Sequence, residues 1–243
     1  MRMLYFYEKK MEIDNILLLR TFLLVAPYII VALYFHYKVR DKFFLKPRTH
    51  IQMNLAMIFL TVLFLEIVYW NISLRHYSFM SFGLSTGTRD TSNTILVLLG
   101  ILAAVIGWIF QTRGQSLNST RTHSIQTLME SRLSEIYIKQ VEKATEIYNT
   151  FKTTNGETYN LQWNDFKGLN QDSVNAIYYL LNYLEFVSVG VRFNDLDEKL
   201  MKNMMKSIMQ NNFTFFEEII KEKQKTKPSV FEHLTALNHR WSC

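Results

Sequence analysis

The 243-residue chain has one cysteine, Cys243. A single thiol excludes an internal disulfide framework and any multi-cysteine metal site within one chain. Its place in "HRWSC" does not fit a prenylation signal, which needs cysteine fourth from the end. The six histidines (His36, His50, His76, His123, His233, His239) have no HExxH or comparable ligand spacing. A phosphate loop, a GxGxxG turn and a GxSxG elbow are also missing. Metal, nucleotide and acyl-transfer chemistry therefore have no support, so an enzyme is not expected and no catalytic, metal or cofactor residue is assigned. Three prolines and eight glycines are few, and no alternating apolar–polar pattern recurs, so strands are not expected.

Long apolar runs are present instead, and they separate two unlike halves. Residues 1–111 hold eleven Lys/Arg and six Asp/Glu, a balance of +5; residues 112–243 hold sixteen and fifteen, a balance of +1. The basic excess behind the pI of 9.2 thus lies around the apolar runs. A nucleic-acid partner would need a concentrated basic face on the soluble half, so direct nucleic-acid binding is not expected.

A hydrocarbon core of about 30 Å takes roughly 20 helical residues to cross. Three runs qualify: 16–37, 51–72 and 94–111. The first follows "MRMLYFYEKKMEID", is too long for a signal-peptide core and lacks a small-residue cleavage site, so it reads as a retained span. Pro27 inside it is tolerated within a bundle. Two spans, with the first run only partly inserted, is the rival count. Tyr34, Tyr37, Tyr69, Trp70 and Trp108 fall toward span ends, where amphipathic rings prefer the interface. Between the first two runs lie Lys38, Arg40, Lys42, Lys46 and Arg48; between the next two lie only Arg75 and Arg89. The positive-inside rule then places the first connection and the C-terminal half in the cytoplasm of an inner-membrane protein. Arg2, Lys9 and Lys10 argue the other way, offset by Glu8, Glu12 and Asp14.

Two charges stand inside the runs, Arg20 and Glu66. Antiparallel neighbours would bring them to similar depth, where an ion pair lowers the cost of burying either alone. That pair either locks the hairpin or guards a polar path. "GILAAVIG" puts Gly100 and Ala104, and Ala103 and Gly107, four residues apart. Such small patches let another helix approach closely, from the same chain or from a second copy.

From Ser116 onward the spacing is helical. Leu117, Ile125, Leu128, Leu133, Ile136, Ala144, Ile147 and Phe151 share a face, so the third span is expected to continue into one long stalk helix. "TTNGETYN" ends it. A short segment around Trp163 and Phe166 follows, then a helix over about 172–191. Another is capped at Asn194 or Asp195 and runs through Leu196, Leu200, Met204 and Ile208. Phe213–Lys225 forms a further helix, and Ser229 caps a last one through Phe231, Leu234 and Leu237. Met201, Met204, Met205 and Met209 read as helix core, with a soft docking surface as the sharper alternative. The fold class is an all-α membrane protein: two or three transmembrane helices, residues 1–111, followed by a cytoplasmic helical domain, residues 112–243.

Within "YLLNYLEFVSVGVRFNDLDEKL", Glu185 is a carboxylate in an apolar helix without an acid–base partner in view. It reads as a structural polar group with Asn182, bracing two helices. Its expected donors are Asn182, Ser188 or a helix start such as Asn194–Asp195. The stretch resembles the signature of an uncharacterised bacterial family of membrane-anchored helical proteins, L-N-x-h-E-h-h-a-h-G followed by D-E-x-L. The matching positions are Leu181, Asn182, Glu185, Gly190, Asp197, Glu198 and Leu200, and the resemblance covers roughly residues 94–210. Such proteins are similar to small membrane effectors beside anti-phage modules, retron-type systems included. The resemblance implies a non-enzymatic effector whose soluble domain is restrained by a cytoplasmic protein or ribonucleoprotein and whose spans damage the bilayer on activation. A passive anchor recruiting a partner enzyme is the alternative, and self-association into a homo-oligomer fits either.

Overall fold

The computed structural model describes the backbone of residues 2–76 and 91–242 and the side chains of residues 18–69 and 96–242. Arg89 and Cys243, and the side chains of Arg2, Lys9, Lys10, Trp70 and Arg75, lie outside the described residues. Helix accounts for 85% of the described residues, and no strand occurs among them. The elements are α1 (Arg2–Tyr34), continued by a π-helical turn over Phe35–Val39, α2 (Thr49–His76), α3 (Thr91–Leu133), α4 (Glu135–Asn155), α5 (Trp163–Gly168), α6 (Gln171–Arg192), α7 (Glu198–Phe215), α8 (Glu217–Thr226) and α9 (Glu232–Ser242). They form two compact units. The first holds residues 1–40 and 49–116; the second holds 41–48 and 117–243. A split at residue 111 could not express the return of 41–48 to the second unit.

In the first unit α1 and α2 pack together, with the Tyr28 and Phe59 rings stacked at 5.7 Å between them. Outward faces are strongly apolar: Leu18, Phe22 and Ile30 are each about two-thirds exposed. Among the described residues four helices are long and apolar enough to cross a membrane: Leu18–Val39, Thr49–Tyr69, Leu96–Leu133 and Gln171–Arg192. Burial separates them, because none, none and 6% of the first three is buried, against 44% of the fourth. The fourth is α6, apolar because it is a core helix; the first three carry apolar surface that no described residue covers.

The second unit is built around α6. Nine of its residues, from Ser173 to Val191, recur at three- and four-residue intervals and are buried. Helices α4, α7 and α9 pack against it. Helix α7 contributes Met201, Met205 and Met209 to the core, while Met204 stays 37% exposed. Trp241 of α9 and the Phe215–Phe216 pair close the far side. Leu161 ties the α4–α5 connection to α7 by donating its N–H to the Phe215 carbonyl at 2.9 Å.

The single long helix expected through Phe151 is divided. Helix α3 stops at Leu133, and Ser134, extended at φ −73°, ψ 121°, caps α4 by accepting from the Tyr137 N–H. Serine followed by Glu135 is a helix-start signal strong enough to restart the chain within an otherwise continuous apolar face. Gly156, at φ 98°, ends α4, where a left-handed residue is cheapest as glycine.

Candidate functional site

The signature residues around Glu185 build the second unit. Glu185 Oε1 accepts from the His233 N–H at 3.2 Å and Oε2 from the Leu234 N–H at 2.6 Å. These are orphan donors of the first turn of α9. The residue in the capping place, Phe231, sits at φ 55° and has no side-chain acceptor, so a carboxylate from α6 replaces the local cap. Glu185 therefore joins α6 to α9, not to the Asn194–Asp195 turn, and Ser229 is not the cap. Ser188 is buried but donates to the Leu184 carbonyl at 2.7 Å. Asn182 is exposed; the buried stripe of α6 passes through Leu181 and Leu184, and residue 182 is turned a full 100° away from Leu181. It does not join Glu185 in a polar core.

The other signature positions shape the α6–α7 turn. A Cβ on Gly190 would lie 2.6 Å from Leu196 Cδ1, and the Gly190 carbonyl accepts from the N–H groups of Asp195 and Leu196. Asp197, rather than Asn194 or Asp195, caps α7 by accepting from the Leu200 N–H at 2.8 Å. Its own N–H donates to Ser124 Oγ on α3 at 2.8 Å.

Glu198 is the centre of a charged cluster. Arg48 donates to Glu198 Oε2 at 2.7 Å. Arg240 forks onto the same carboxylate, Nε to Oε1 and Nη2 to Oε2, and also meets Asp41 Oδ2 at 2.8 Å. The Glu198 contact holds the Arg240 guanidinium above its ordinary value. Bidentate geometry and partial burial (Glu198 side chain 19% exposed, Arg48 27%, Arg240 30%) make this a stronger cluster than open surface pairs. Aromatic rings flank it: the Arg240 guanidinium lies 4.5 Å from the Phe43 ring centre and 5.0 Å from Phe44, and Arg48 lies 3.8 Å from Phe44. Beside the cluster opens a cleft of about 510 Å³ lined by Phe43, Glu198, Lys202, Ala236, His239 and Arg240. Both Glu198 oxygens are taken by guanidinium N–H groups.

The segment 41–48 has no helix of its own and is held along its length. Leu45 N–H donates to the Arg192 carbonyl at 2.8 Å, Arg192 Nε reaches the Phe43 carbonyl at 3.4 Å, and Asn194 Nδ2 donates to the Lys46 carbonyl. Lys46 pairs with Asp195 at 3.4 Å. Sequence reasoning counted Lys46 and Arg48 as orientation charges and did not reach Asp41, Phe43 or Arg240.

Elsewhere, Arg20 on α1 and Glu66 on α2 are half-buried in the first unit, and Tyr28 is a polar neighbour of Glu66. Gly100, Ala103, Ala104 and Gly107 are all exposed on α3, and a Cβ on either glycine would meet nothing within 4 Å among the described residues. The close-approach face is thus left open by the described residues. In the second unit, burial pushes the Tyr137 hydroxyl up to about 12, with the neighbouring Tyr183 hydroxyl adding to it; the rings lie 4.8 Å apart. No group of three His, Cys, Asp or Glu side chains converges among the described residues.

No curated protein and no solved structure matches the chain. A family model does match, over residues 94–241. That range starts where the sequence resemblance starts and runs beyond residue 210 to take in α8 and α9, the helix that Glu185 caps and that carries Arg240. With Glu185, Gly190, Asp197 and Glu198 each in a defined structural place, the chain belongs to the uncharacterised family described as Domain of unknown function (DUF4760).

Proposed function

We propose that the protein is a non-enzymatic membrane effector: its helical unit binds a partner or senses a signal, and its spans perturb the bilayer on activation. The observation that carries this reading is the docking of the connection between α1 and α2 onto the helical unit, through Leu45, Lys46 and Arg48. A domain that grips a span connection has a physical means of acting on those spans; a domain merely tethered to a membrane does not need one. The three uncovered apolar helices support a bilayer as their solvent, since apolar area left in water costs about 25 cal/mol per Å². In this reading 41–48 and 117–243, which pack as one unit, lie on one side of the membrane, so that α2 and α3 cross as a pair. The Lys/Arg excess of the first connection favours the cytoplasm for that side.

Arg20 and Glu66 form the intramembrane ion pair of this reading, with Tyr28 beside Glu66, and the open small-residue face of α3 is the surface for a second copy. A role in anti-phage defence, with a cytoplasmic protein or ribonucleoprotein restraining the helical unit, is its narrower form and rests on the resemblance of residues 179–200. The test is membrane potential in cells expressing the chain without its neighbours, intact or lacking residues 117–243. Depolarisation in either case is expected. An unchanged potential in both, together with full function when the spans are replaced by an unrelated anchor, would establish the passive-anchor alternative instead.

A further inference from the structure

We infer that the face made by Arg192, Asp195, Glu198 and Arg240 is a docking site whose ligand is the chain's own segment 41–48, and that this segment is a releasable strap between the helical unit and the first two membrane helices. Its coupling role rests on the effector reading above; the docking does not. The match is specific in register. Asp41 meets Arg240, Lys46 meets Asp195 and Arg48 meets Glu198, so charges of both signs occur on both partners. A basic loop drawn to an acidic patch would not place an aspartate on an arginine. Backbone contacts fix the same register, from Leu45 N–H to Arg192 and from Asn194 to the Lys46 carbonyl. Pro47 cannot donate a backbone hydrogen bond and biases Lys46 toward an extended shape, which suits a strap lying across a surface.

Release is built into the same contacts. No residue of 41–48 is fully buried; Phe43 is only packed against the edge of the core. The Lys46–Asp195 pair is more than half exposed on both sides, a class of pair that contributes little. The strap is therefore held mainly by orientation-specific polar contacts, with Phe43 packed against the core but only partly buried as its one apolar hold. It runs directly into Arg40 and Thr49, the ends of the flanking helices, so any partner that takes Glu198 or Arg240 frees both helix ends. Asp41, Phe43, Lys46 and Arg48 all lie outside the family match, whereas Glu198 and Arg240 lie inside it.

The experiment uses the full chain in native membranes, with Cys243→Ser and the pair Lys46→Cys, Asp195→Cys. Oxidation is expected to link the pair readily. Adding Glu198→Arg is expected to slow linking about tenfold, the change that follows from losing roughly 1.4 kcal/mol. The four-residue inversion Asp41→Arg, Arg48→Glu, Glu198→Arg, Arg240→Glu keeps every pair and is expected to restore linking, which separates strap release from a failure to fold. An unlinked parent pair, or a Glu198→Arg chain that folds and links at the parent rate, overturns the docking. With the link formed, depolarisation is expected to be lost and to return on reduction; equal depolarisation in both states overturns the coupling. If no variant depolarises while linking follows the charges, the effector reading and the coupling fall together and the docking site stands.

Discussion

Glu185 illustrates how a carboxylate can look catalytic in a sequence and be structural in a fold. It replaces a cap that Phe231 cannot supply, and each hydrogen bond to a charged group contributes about 1.5–3 kcal/mol. Glu185→Leu is expected to destabilise the helical unit by about 2–3 kcal/mol, and Glu185→Gln, which keeps one acceptor oxygen, by about 1 kcal/mol. Chemical denaturation of the purified chain measures both; a Glu185→Leu chain of parental stability but without function would give the residue a direct role. Gly190 is the second sensitive position. Its missing Cβ leaves room for Leu196, so Gly190→Ala is expected to cost about 1–3 kcal/mol through overpacking. Adding Leu196→Ala should cost less than it does alone, a non-additivity that a double-mutant cycle reads directly. Tyr137 sets a limit at high pH. Its hydroxyl titrates near 12 in the fold against 10.0 when unperturbed, so the folded state prefers the neutral phenol. Stability from this group is complete below pH 10 and is lost as pH rises toward 12, where the unfolded chain binds fewer protons. Tyr137→Phe is expected to flatten that loss in melting curves taken across the same window, and an unchanged slope would assign it elsewhere.

At the scale of elements, the apolar runs and α6 were legible because their signals are local. A run of about 20 apolar residues, or a stripe repeating every three or four, needs no knowledge of partners. Ends were less legible. The Ser134 cap was present in the sequence but outweighed by the apolar face on both sides of it, and α7 starts at Asp197 rather than at Asn194 or Asp195, because Asn194, at φ 60°, belongs to the turn. The cap of α9 was out of reach, since its acceptor lies 48 and 49 residues away. Helix α3 carries the prediction of this scale. A Cβ on Gly100 or Gly107 would meet nothing within 4 Å among the described residues, so Gly100→Leu and Gly107→Leu are expected to leave the described fold intact while reducing chemical cross-linking between copies in the membrane. Undiminished cross-linking would remove the α3 face from any self-association.

For the whole molecule, what a single sequence cannot state is the return of 41–48 to the helical unit. Lys46 and Arg48 were visible as charges, yet the partners of Arg48 lie 150 residues downstream and no local pattern marks them. That return makes topology testable. Cysteines placed at Lys42 and at Gln224, one at a time in a Cys243→Ser chain, are expected to react with a membrane-impermeant maleimide from the same side of the membrane. Reaction from opposite sides would be incompatible with one unit holding both segments.

The position of Glu198 between its two arginines also imposes an order of events during synthesis. Arg48 precedes it by 150 residues and Arg240 follows it by 42. At about 5–20 residues per second, Arg48 waits on the order of ten seconds or more before the cluster can close. Under the proposed membrane reading, the connection still displays its basic residues through that interval, while α2 and α3 meet the bilayer. In that reading the same cations first orient the nascent chain and only afterwards are neutralised by Glu198 and Asp195, and insertion precedes the closing of the cluster.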